Sequence, residues 1–481
     1  MKPMRRTMWR SALAVLAITG TTVTLARQAS PQAPPQPMPR PVPTPAIALG
    51  DVPHSDLAAT QALFNSYVVA GKMPGIAGAF GIGDAPTRFI SAGRVSDDTG
   101  AQAAGPDTLW RVYSMTKPIT AMAAMMLIEE GKLKLDEPVS DFIPGFARMN
   151  VLTDPDHSLA SKPATHPVLV RNLLTHTAGL GYNIITTGPL LAEYKRLGID
   201  PAQVNPTMEM QARTVRPRTL QEFAARVATL PLIAEPGTKW SYSIGLDVMG
   251  AVIEKASGMP FDTFVQRRIF DPLKMRSSFW TVPASEIGRL ATAYAFKREA
   301  MATLFPAMKI DPASIGPLER VPLDRAANSV WLTPPSFPYG GAGLVMSARD
   351  YDRFLHALQN EGTLDGVRVL KPETARLMMS NLLPAGVTFG GVAAATGGTP
   401  GGGPKMGFGA GGSVYLEDLP GGGAKGTYGW GGAAGTIAFV DPARHVRGTI
   451  MVNYFPGEKY PLRAQIGPAL YADAARLPKH S

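Results

Sequence analysis

Ser114 and Lys117 are the two side chains of this sequence whose spacing best suits nucleophilic chemistry. A serine hydroxyl attacks a carbonyl carbon when a neighbouring base takes its proton, and an amine can be that base when burial or a nearby cation lowers its pKa. The S-x-x-K spacing alone is weak, because about one match is expected by chance in a chain of this composition. The alternative is a capped helix with a surface lysine, and the surrounding sequence has to decide.

The segment that follows the pair predicts a buried helix. Apolar residues recur at helical spacing over residues 119–128, among helix-favouring alanines, and Gly131 stops the run. Pro118 fits the first turn, since no amide hydrogen is needed there. Ser114 then lies at or near the helix N-terminus with Lys117 on the same face, and the backbone N–H groups of that terminus can stabilise an oxyanion formed beside the serine.

Two further side chains are candidates for proton transfer. Tyr242 stands in a turn before a predicted helix at residues 246–255. A phenol at such a turn can point into a cleft, and the alternative is an aromatic anchor for the turn. His176 could act as a general base, but a lysine already lies beside the serine. We therefore interpret residues 175–177 as a helix end in which hydroxyls and an imidazole hold a turn together.

Other kinds of site are not favoured by the sequence. The chain has no cysteine, which excludes disulfides, thiol nucleophiles and cysteine zinc sites, and its seven histidines show no metal-ligand spacing. A formal G-x-G-x-x-G at residues 407–412 is followed by a predicted strand at 413–416 instead of a helix, so we reject a dinucleotide site. We expect neither a metal nor another cofactor.

The composition is that of a globular protein. Of 481 residues, 45% are hydrophobic and 17% are charged, enough for one large catalytic unit or for several domains. The net charge is +10, but six basic residues precede the first acidic residue, Asp51, and the rest of the chain carries only +4. Without a lysine or arginine run, this small excess gives no reason to expect a nucleic acid or an anionic membrane as partner.

The N-terminal residues predict export. Four basic residues fall within residues 1–10, and an apolar stretch of 16 residues ends in small residues at 24–26. We expect a signal peptide at 1–26, because the stretch is short for a membrane span; the alternative is an uncleaved anchor, which would be the protein's only membrane contact. Residues 27–50, with eight prolines between 30 and 45, predict an extended Pro-rich linker. The protein is then periplasmic or secreted.

The remaining pattern predicts strands near both chain ends with helices between them. Predicted strands lie at residues 75–80, 88–92, 339–346, 427–430, 436–440 and 446–454. Predicted helices lie at 55–69, 261–270, 349–359, 372–379 and 462–475, and residues 186–219 predict an irregular insertion with a short helix. This order suggests an antiparallel sheet whose first and last segments meet.

Three motifs in a fixed order carry a family resemblance. With Ser114-x-x-Lys117, then Tyr242, then Trp430-Gly431-Gly432, the chain resembles the serine beta-lactamase and penicillin-binding-protein superfamily, and within it class C beta-lactamases and family VIII carboxylesterases. The likeness extends from about residue 51 to about residue 471.

The resemblance implies an α+β fold, a beta-lactamase/transpeptidase-like sandwich with a central antiparallel sheet flanked by helices. It also implies a helical subdomain at roughly residues 132–290 within a hydrolase domain at 51–481. The active site would lie between the sheet and the helical subdomain.

The resemblance also assigns roles. Ser114 would be acylated, with Lys117 as its activating partner. Tyr242 would relay the proton between nucleophile and leaving group and then help to activate the deacylating water. The backbone N–H groups of Ser114 and Ala433 would form the oxyanion hole.

Two positions depart from the beta-lactamases. The substrate-binding motif Trp430, Gly431, Gly432 begins with tryptophan, as in family VIII esterases, where beta-lactamases have lysine and several peptidases histidine. Ile244 stands where the beta-lactamases usually have asparagine. An indole carries no charge to pair with a substrate carboxylate. The alternative is that another cation, such as Lys425 or Arg349, supplies this charge to the site.

The leading functional hypothesis is therefore a secreted serine esterase that cleaves small carboxylic esters through an acyl-enzyme on Ser114. The alternatives are a class C-like beta-lactamase or D-alanyl-D-alanine peptidase, with a lactam or peptide substrate, and a non-catalytic binding protein with the same fold.

Overall fold

The computed structural model describes residues 56–298, 315–391 and 405–477. The predicted signal peptide and Pro-rich linker lie outside these ranges. Within them, no helix combines the length and apolarity needed to cross a bilayer.

The α-helices of the described residues are α1 Ala58–Val69, α2 Thr116–Glu129, α3 Val170–Leu174, α4 Gly188–Arg196, α5 Pro206–Ala212, α6 Leu220–Val227, α7 Gly245–Ser257, α8 Phe261–Val265, α9 Ala348–Gln359, α10 Pro372–Met378 and α11 Leu462–Ala474.

The strands are β1 Gly75–Ile82, β2 Arg88–Gly93, β3 Leu109–Arg111, β4 Asn150–Leu152, β5 Ser161–Pro163, β6 Ser278–Phe279, β7 Ala293–Phe296, β8 Arg320–Asp324, β9 Val345–Ser347, β10 Thr363–Leu364, β11 Val367–Arg368, β12 Met406–Phe408, β13 Ser413–Tyr415, β14 Tyr428–Gly431, β15 Ile437–Asp441, β16 Val446–Met451 and β17 Tyr454–Phe455.

A seven-stranded antiparallel sheet forms the centre, in the order β12-β13-β14-β15-β16-β1-β2. The first and last long strands are neighbours, with Ala77 opposite Met451. This confirms the expected α+β fold with an antiparallel sheet whose terminal segments meet. Small sheets of two or three strands surround it, and one of them, β3-β9-β6, leads into the nucleophile segment.

Helices cover both faces of this sheet, as the alternation along β1 shows. Ile76 and Phe80 belong to an apolar cluster with α1 and α11, whereas Ala77 and Ala79 belong to a larger cluster with α2 and α9. Successive side chains of a strand point to opposite faces, so the small residues of β1 face the side on which α2 lies.

Helix α2 is buried on all sides, from Thr116 through Leu127. A helix that is apolar all round belongs in the interior of a large protein, as the sequence predicted. Helix α7 packs against it.

The structure corrects several predicted boundaries. Residues 186–219 contain two helices, α4 and α5, where one short helix was expected. Residues 261–270 divide into α8 and the π-helical turn Gln266–Phe270. The strand expected over 339–346 is regular only in β9, because residues 340–342 form a turn. The strand expected over 446–454 ends with β16 at Met451.

The start of the nucleophile segment is anchored by a buried ion pair. Arg111 and Asp324 have fully buried side chains, and Arg111 Nε donates to Asp324 Oδ2 at 2.7 Å. Arg111 Nη2 also donates to Ser329 Oγ at 3.1 Å, and its backbone N–H donates to Asn453 Oδ1 at 3.0 Å. These bonds hold the backbone three residues before Ser114.

We expect Asp324→Ala to lower the free energy of unfolding by about 3–5 kcal/mol, because it leaves a guanidinium buried without its counter-charge. Urea denaturation followed by tryptophan fluorescence measures the loss. Asp107→Ala is the control, since the Asp107–Arg349 pair is 48% and 44% exposed, and its loss should cost at most about 1 kcal/mol. Equal losses in the two variants would contradict the buried pair's importance.

Candidate active site

Ser114 lies in a single 3₁₀ turn, Tyr113–Met115, between β3 and α2. The turn is tight, with Tyr113 at a φ of +43°, in the left-handed region that a bulky residue rarely adopts. The Tyr113 ring is held edge-on against Trp331 and Phe455, with centroids 6.0 and 5.4 Å away. Such backbone strain costs about 1–3 kcal/mol and is concentrated at functional sites. The predicted position of Ser114 beside the helix N-terminus is confirmed.

Two predicted site residues, Tyr242 and Lys117, converge on the hydroxyl of the third, Ser114. Tyr242 donates its phenol O–H to Ser114 Oγ at 2.7 Å, and Lys117 donates from Nζ at 3.3 Å. Lys117 is fully buried, and Nζ also donates to the Gly341 carbonyl at 2.8 Å. Its Nζ lies 4.8 Å from the Tyr242 ring centroid, within cation–π range. A proton can therefore pass among the three groups without any histidine.

The lysine has further neighbours that the sequence analysis missed. The Tyr182 ring centroid lies 5.4 Å from Lys117 Nζ. Asp247, in the first turn of α7, is fully buried and accepts the Gly341 N–H on Oδ1 at 2.8 Å. Burial raises the pKa of Asp247 to about 7, although Lys117 and the Gly341 hydrogen bond oppose the shift. The available signal was an aspartate within the otherwise uncharged residues 244–249.

Five aromatic side chains form a wall beside the nucleophile, and we call Trp240, Tyr242, Phe389, Phe408 and Trp430 the aromatic wall. The centroid of Trp430 lies 5.8 Å from Tyr242 and 5.2 Å from Phe408. Trp240 lies 4.5 Å from Phe389. Trp430 therefore lies on the active-site face of β14, and the apolar surface beside Ser114 is larger than the motif alone indicated.

Gly431 does not share the face of Trp430. A Cβ at Gly431 would overlap the guanidinium of Arg463, which comes from α11. Neighbouring strand residues face opposite sides, so this glycine meets α11 while Trp430 faces Tyr242. The predicted substrate-binding motif is thus split between the two faces of the sheet.

Gly432 brings the end of β14 against the nucleophile segment. A Cβ there would overlap the Val112 carbonyl oxygen, two residues before Ser114, and the Thr436 hydroxyl. Only glycine permits this approach. Ala433 follows at once and is exposed, so the structure places its backbone one residue beyond the contact with the nucleophile segment.

His176 lies behind Tyr242, with its ring centroid 4.8 Å from that of Tyr242. It is fully buried, its Nδ1 accepts the Ser243 N–H at 3.2 Å, and the same nitrogen lies 2.9 Å from Ser243 Oγ. Burial, assisted by the charge of Lys117, holds the pKa of His176 well below its usual value, so the ring is neutral. This confirms the interpretation of an imidazole that holds a turn together.

Within residues 56–298, 315–391 and 405–477, no group of three or more histidine, aspartate or glutamate side chains is arranged to hold a metal ion.

Known proteins resemble this chain in sequence and in structure. Esterase EstB of Burkholderia gladioli is 35% identical over 259 residues, which are 54% of this chain and 59% of EstB. Lovastatin esterase of Penicillium rubens is 30% identical over 330 residues, 65% of this chain and 71% of that enzyme. The structure of EstCE1, described as a hydrolase with promiscuous acyltransferase activity, superposes with a TM-score of 0.66 at 27% identity, covering 86% of this chain and 98% of EstCE1.

The chain thus spans about three fifths of the length of EstB. The likeness to EstCE1 confirms the beta-lactamase/transpeptidase-like fold that the motifs implied. The model of the Beta-lactamase family matches residues 60–471. Because this match begins in α1 and ends within α11, it includes every element that builds the site, and the chain belongs to the beta-lactamase family.

Proposed function

We propose that this protein is a serine esterase that cleaves small carboxylic esters through an acyl-enzyme on Ser114. The observation that carries the proposal is the pair of hydrogen bonds on Ser114 Oγ, from Tyr242 at 2.7 Å and from Lys117 at 3.3 Å. The names of EstB and lovastatin esterase, both esterases, support the same reaction class.

The first half of the reaction is acylation. Ser114 Oγ attacks the ester carbonyl carbon while its proton passes to the Tyr242–Lys117 pair, which acts as the base when it holds one proton fewer than an ammonium and a phenol together. The oxyanion that forms accepts hydrogen bonds from the backbone N–H groups of Ser114 and Ala433, and one such donor is worth about 3–4 kcal/mol in the transition state. Tyr242 then gives the proton to the departing alcohol oxygen. Water reverses the sequence, with Tyr242 as the base, and releases the acid.

The aromatic wall favours uncharged substrates. An indole offers one N–H and a large apolar face where a lysine would offer a charge. Arg349, one cation considered as a replacement, is engaged elsewhere, since it pairs with Asp107 at 2.7 Å and lies 4.4 Å from the Phe89 centroid. An ester with an apolar acyl or alcohol group can pack against the wall, whereas the carboxylate of a penicillin or of a peptide C-terminus would lose its hydration there.

The proposed esterase acts in the periplasm or outside the cell. The support is the basic and apolar sequence of residues 1–26. N-terminal sequencing of the protein recovered from its source tests this: a mature chain that begins near residue 27 supports export with cleavage, and an intact start contradicts the cleavage.

We expect a fluorophosphonate probe to attach to Ser114, because this hydroxyl receives bonds from both Lys117 and Tyr242. Ser114→Ala should lower kcat for a p-nitrophenyl ester by at least about 10⁴-fold. Peptide mapping by mass spectrometry locates the adduct. Ser380→Ala, at a hydroxyl that bonds only the Leu377 carbonyl, is the control and should label normally. An adduct on another serine would refute the assignment.

Lys117→Ala and Tyr242→Phe should each lower kcat by about 10²–10⁴-fold, since both groups belong to one proton relay. The double variant should be no more than a few times slower than the slower single variant, because groups that act as a unit lose their effect together. Circular dichroism and kcat on all three variants measure this. Multiplicative losses in the double variant would show that the two groups act independently.

Trp430→Lys should shift preference toward substrates that carry a carboxylate, because it places a cation on the active-site face of β14. The measurement is kcat/KM for a neutral short-chain ester and for its carboxylate-bearing analogue. We expect the native protein to prefer the neutral ester, and the ratio to move at least about tenfold in the variant. Trp430→Phe, which stays uncharged, is the matched control. Native preference for the carboxylate, or an unchanged ratio in a folded lysine variant, would leave the lactamase or peptidase alternative stronger.

A further inference from the structure

The lysine of the site depends on a glycine loop for its orientation. Residues 340–343 read Gly-Gly-Ala-Gly and lie just before β9. Lys117 Nζ donates to the Gly341 carbonyl at 2.8 Å, which is shorter than its 3.3 Å bond to Ser114 Oγ. The loop carbonyl therefore determines where the amine points.

Glycine backbones have more conformational freedom than any other residue, so this acceptor needs to be held in place. Two contacts hold it. The Thr120 hydroxyl of α2 donates to the Gly340 carbonyl at 2.7 Å, and the Asp247 carboxyl of α7 accepts the Gly341 N–H at 2.8 Å. A Cβ on Gly341 would lie 2.5 Å from Asp247 Oδ2, so glycine is needed for this approach.

Asp247 is not used in the acylation chemistry described above. Its Oδ1 is bonded to Gly341, while its Oδ2 is buried and has no hydrogen-bond partner. Burying a carboxyl oxygen without a partner is costly, and native structures retain such groups mainly where they have a role. No hydrogen bond joins Asp247 directly to Lys117, so an effect of Asp247 on where the amine points runs through the Gly341 backbone, whereas its charge acts on the amine through space.

We propose that Asp247 is a positioning residue, which holds Gly341 so that its carbonyl aims Lys117 at the Ser114 hydroxyl. This inference rests on the proposed function, because it assigns Asp247 a part in the acylation of Ser114. The function required of the side chain is that of a hydrogen-bond acceptor for one backbone N–H. An asparagine can supply that acceptor, and an alanine cannot.

The test compares Asp247→Ala and Asp247→Asn for turnover of a neutral p-nitrophenyl ester. Fluorophosphonate titration counts the competent sites, so that kcat is expressed per labelled site and loss of folded protein does not contribute. Asp247→Ala should lower kcat per site at least tenfold with KM changed less than threefold, and should slow labelling by a similar factor. Asp247→Asn should restore kcat to within about threefold of native, since it keeps the acceptor.

A matched control separates positioning from general destabilisation. Asp473 is also a buried aspartate in a helix, and it accepts the backbone N–H groups of Ala59 and Thr60 at 3.0 and 2.8 Å on the opposite face of the sheet. Asp473→Ala should lower the denaturation midpoint and leave kcat per labelled site unchanged.

Gly341→Ala keeps the Asp247 carboxyl but forces it away from the loop. If Asp247→Ala does not fold, Gly341→Ala is tested in its place. It should lower kcat per site in the same way. Unchanged kcat per site in either variant, or an equal fall in Asp473→Ala, would overturn the positioning role. Failure of Asp247→Asn to recover would show that the charge, and not the acceptor, is what matters. If the native protein neither labels nor turns over ester, the proposed function itself is wrong.

Discussion

The site depends on the burial of one amine, Lys117, in the first turn of an interior helix. An ammonium removed from water loses several kcal/mol of hydration, which the protein has to replace with oriented polar groups. The replacements come from distant parts of the chain: the Gly341 carbonyl, the Ser114 hydroxyl, and the faces of Tyr182 and Tyr242. Because the protein has to solvate this amine internally, α2, the turn before α7 and the 340–343 loop meet at one point.

Close approach of backbone segments is the second condition for that meeting. At Gly340, Gly341 and Gly432 a Cβ would overlap or press on Leu246, Asp247 and Val112 in turn. Each glycine therefore marks a place where one element touches another without a side chain between them. The conformational freedom that makes glycine suitable here also makes its backbone mobile. The hydrogen bonds of Thr120 with Gly340 and of Asp247 with Gly341 therefore have to fix the conformation of the loop.

The sheet provides the rigid side of the site. Its central strands are covered on both faces, and the buried Arg111–Asp324 pair holds the backbone just before the strained turn at Tyr113. On β14, the alternation of side chains sends Trp430 toward Tyr242 and leaves the Gly431 position to Arg463 on the other face. The alternation of side chains along β14 thus determines which residues of the Trp430-Gly431-Gly432 motif face the active site.

The sequence by itself determined the nucleophile helix, the terminal strands that pair, and the identity of Ser114, Lys117 and Tyr242 as candidates. The helix, the strands and the Ser114–Lys117 pair depend on local spacing: an i, i+3 pair lies on one helix face, and alternation or apolar runs indicate burial within one element. Tyr242 was selected by the order of the three motifs that carry the family resemblance. The family resemblance implied that Tyr242 acts on Ser114, 128 positions away, and only the tertiary structure showed the contact itself and the contact of Gly341 with Lys117 across 224 positions. Sequence analysis did not identify four residues of the site: Asp247, Tyr182, Phe389 and Phe408. The type of a buried acidic or aromatic residue does not show which other segment it packs against. Their roles come from contacts between distant segments, and local spacing carries no information about which distant segments will touch.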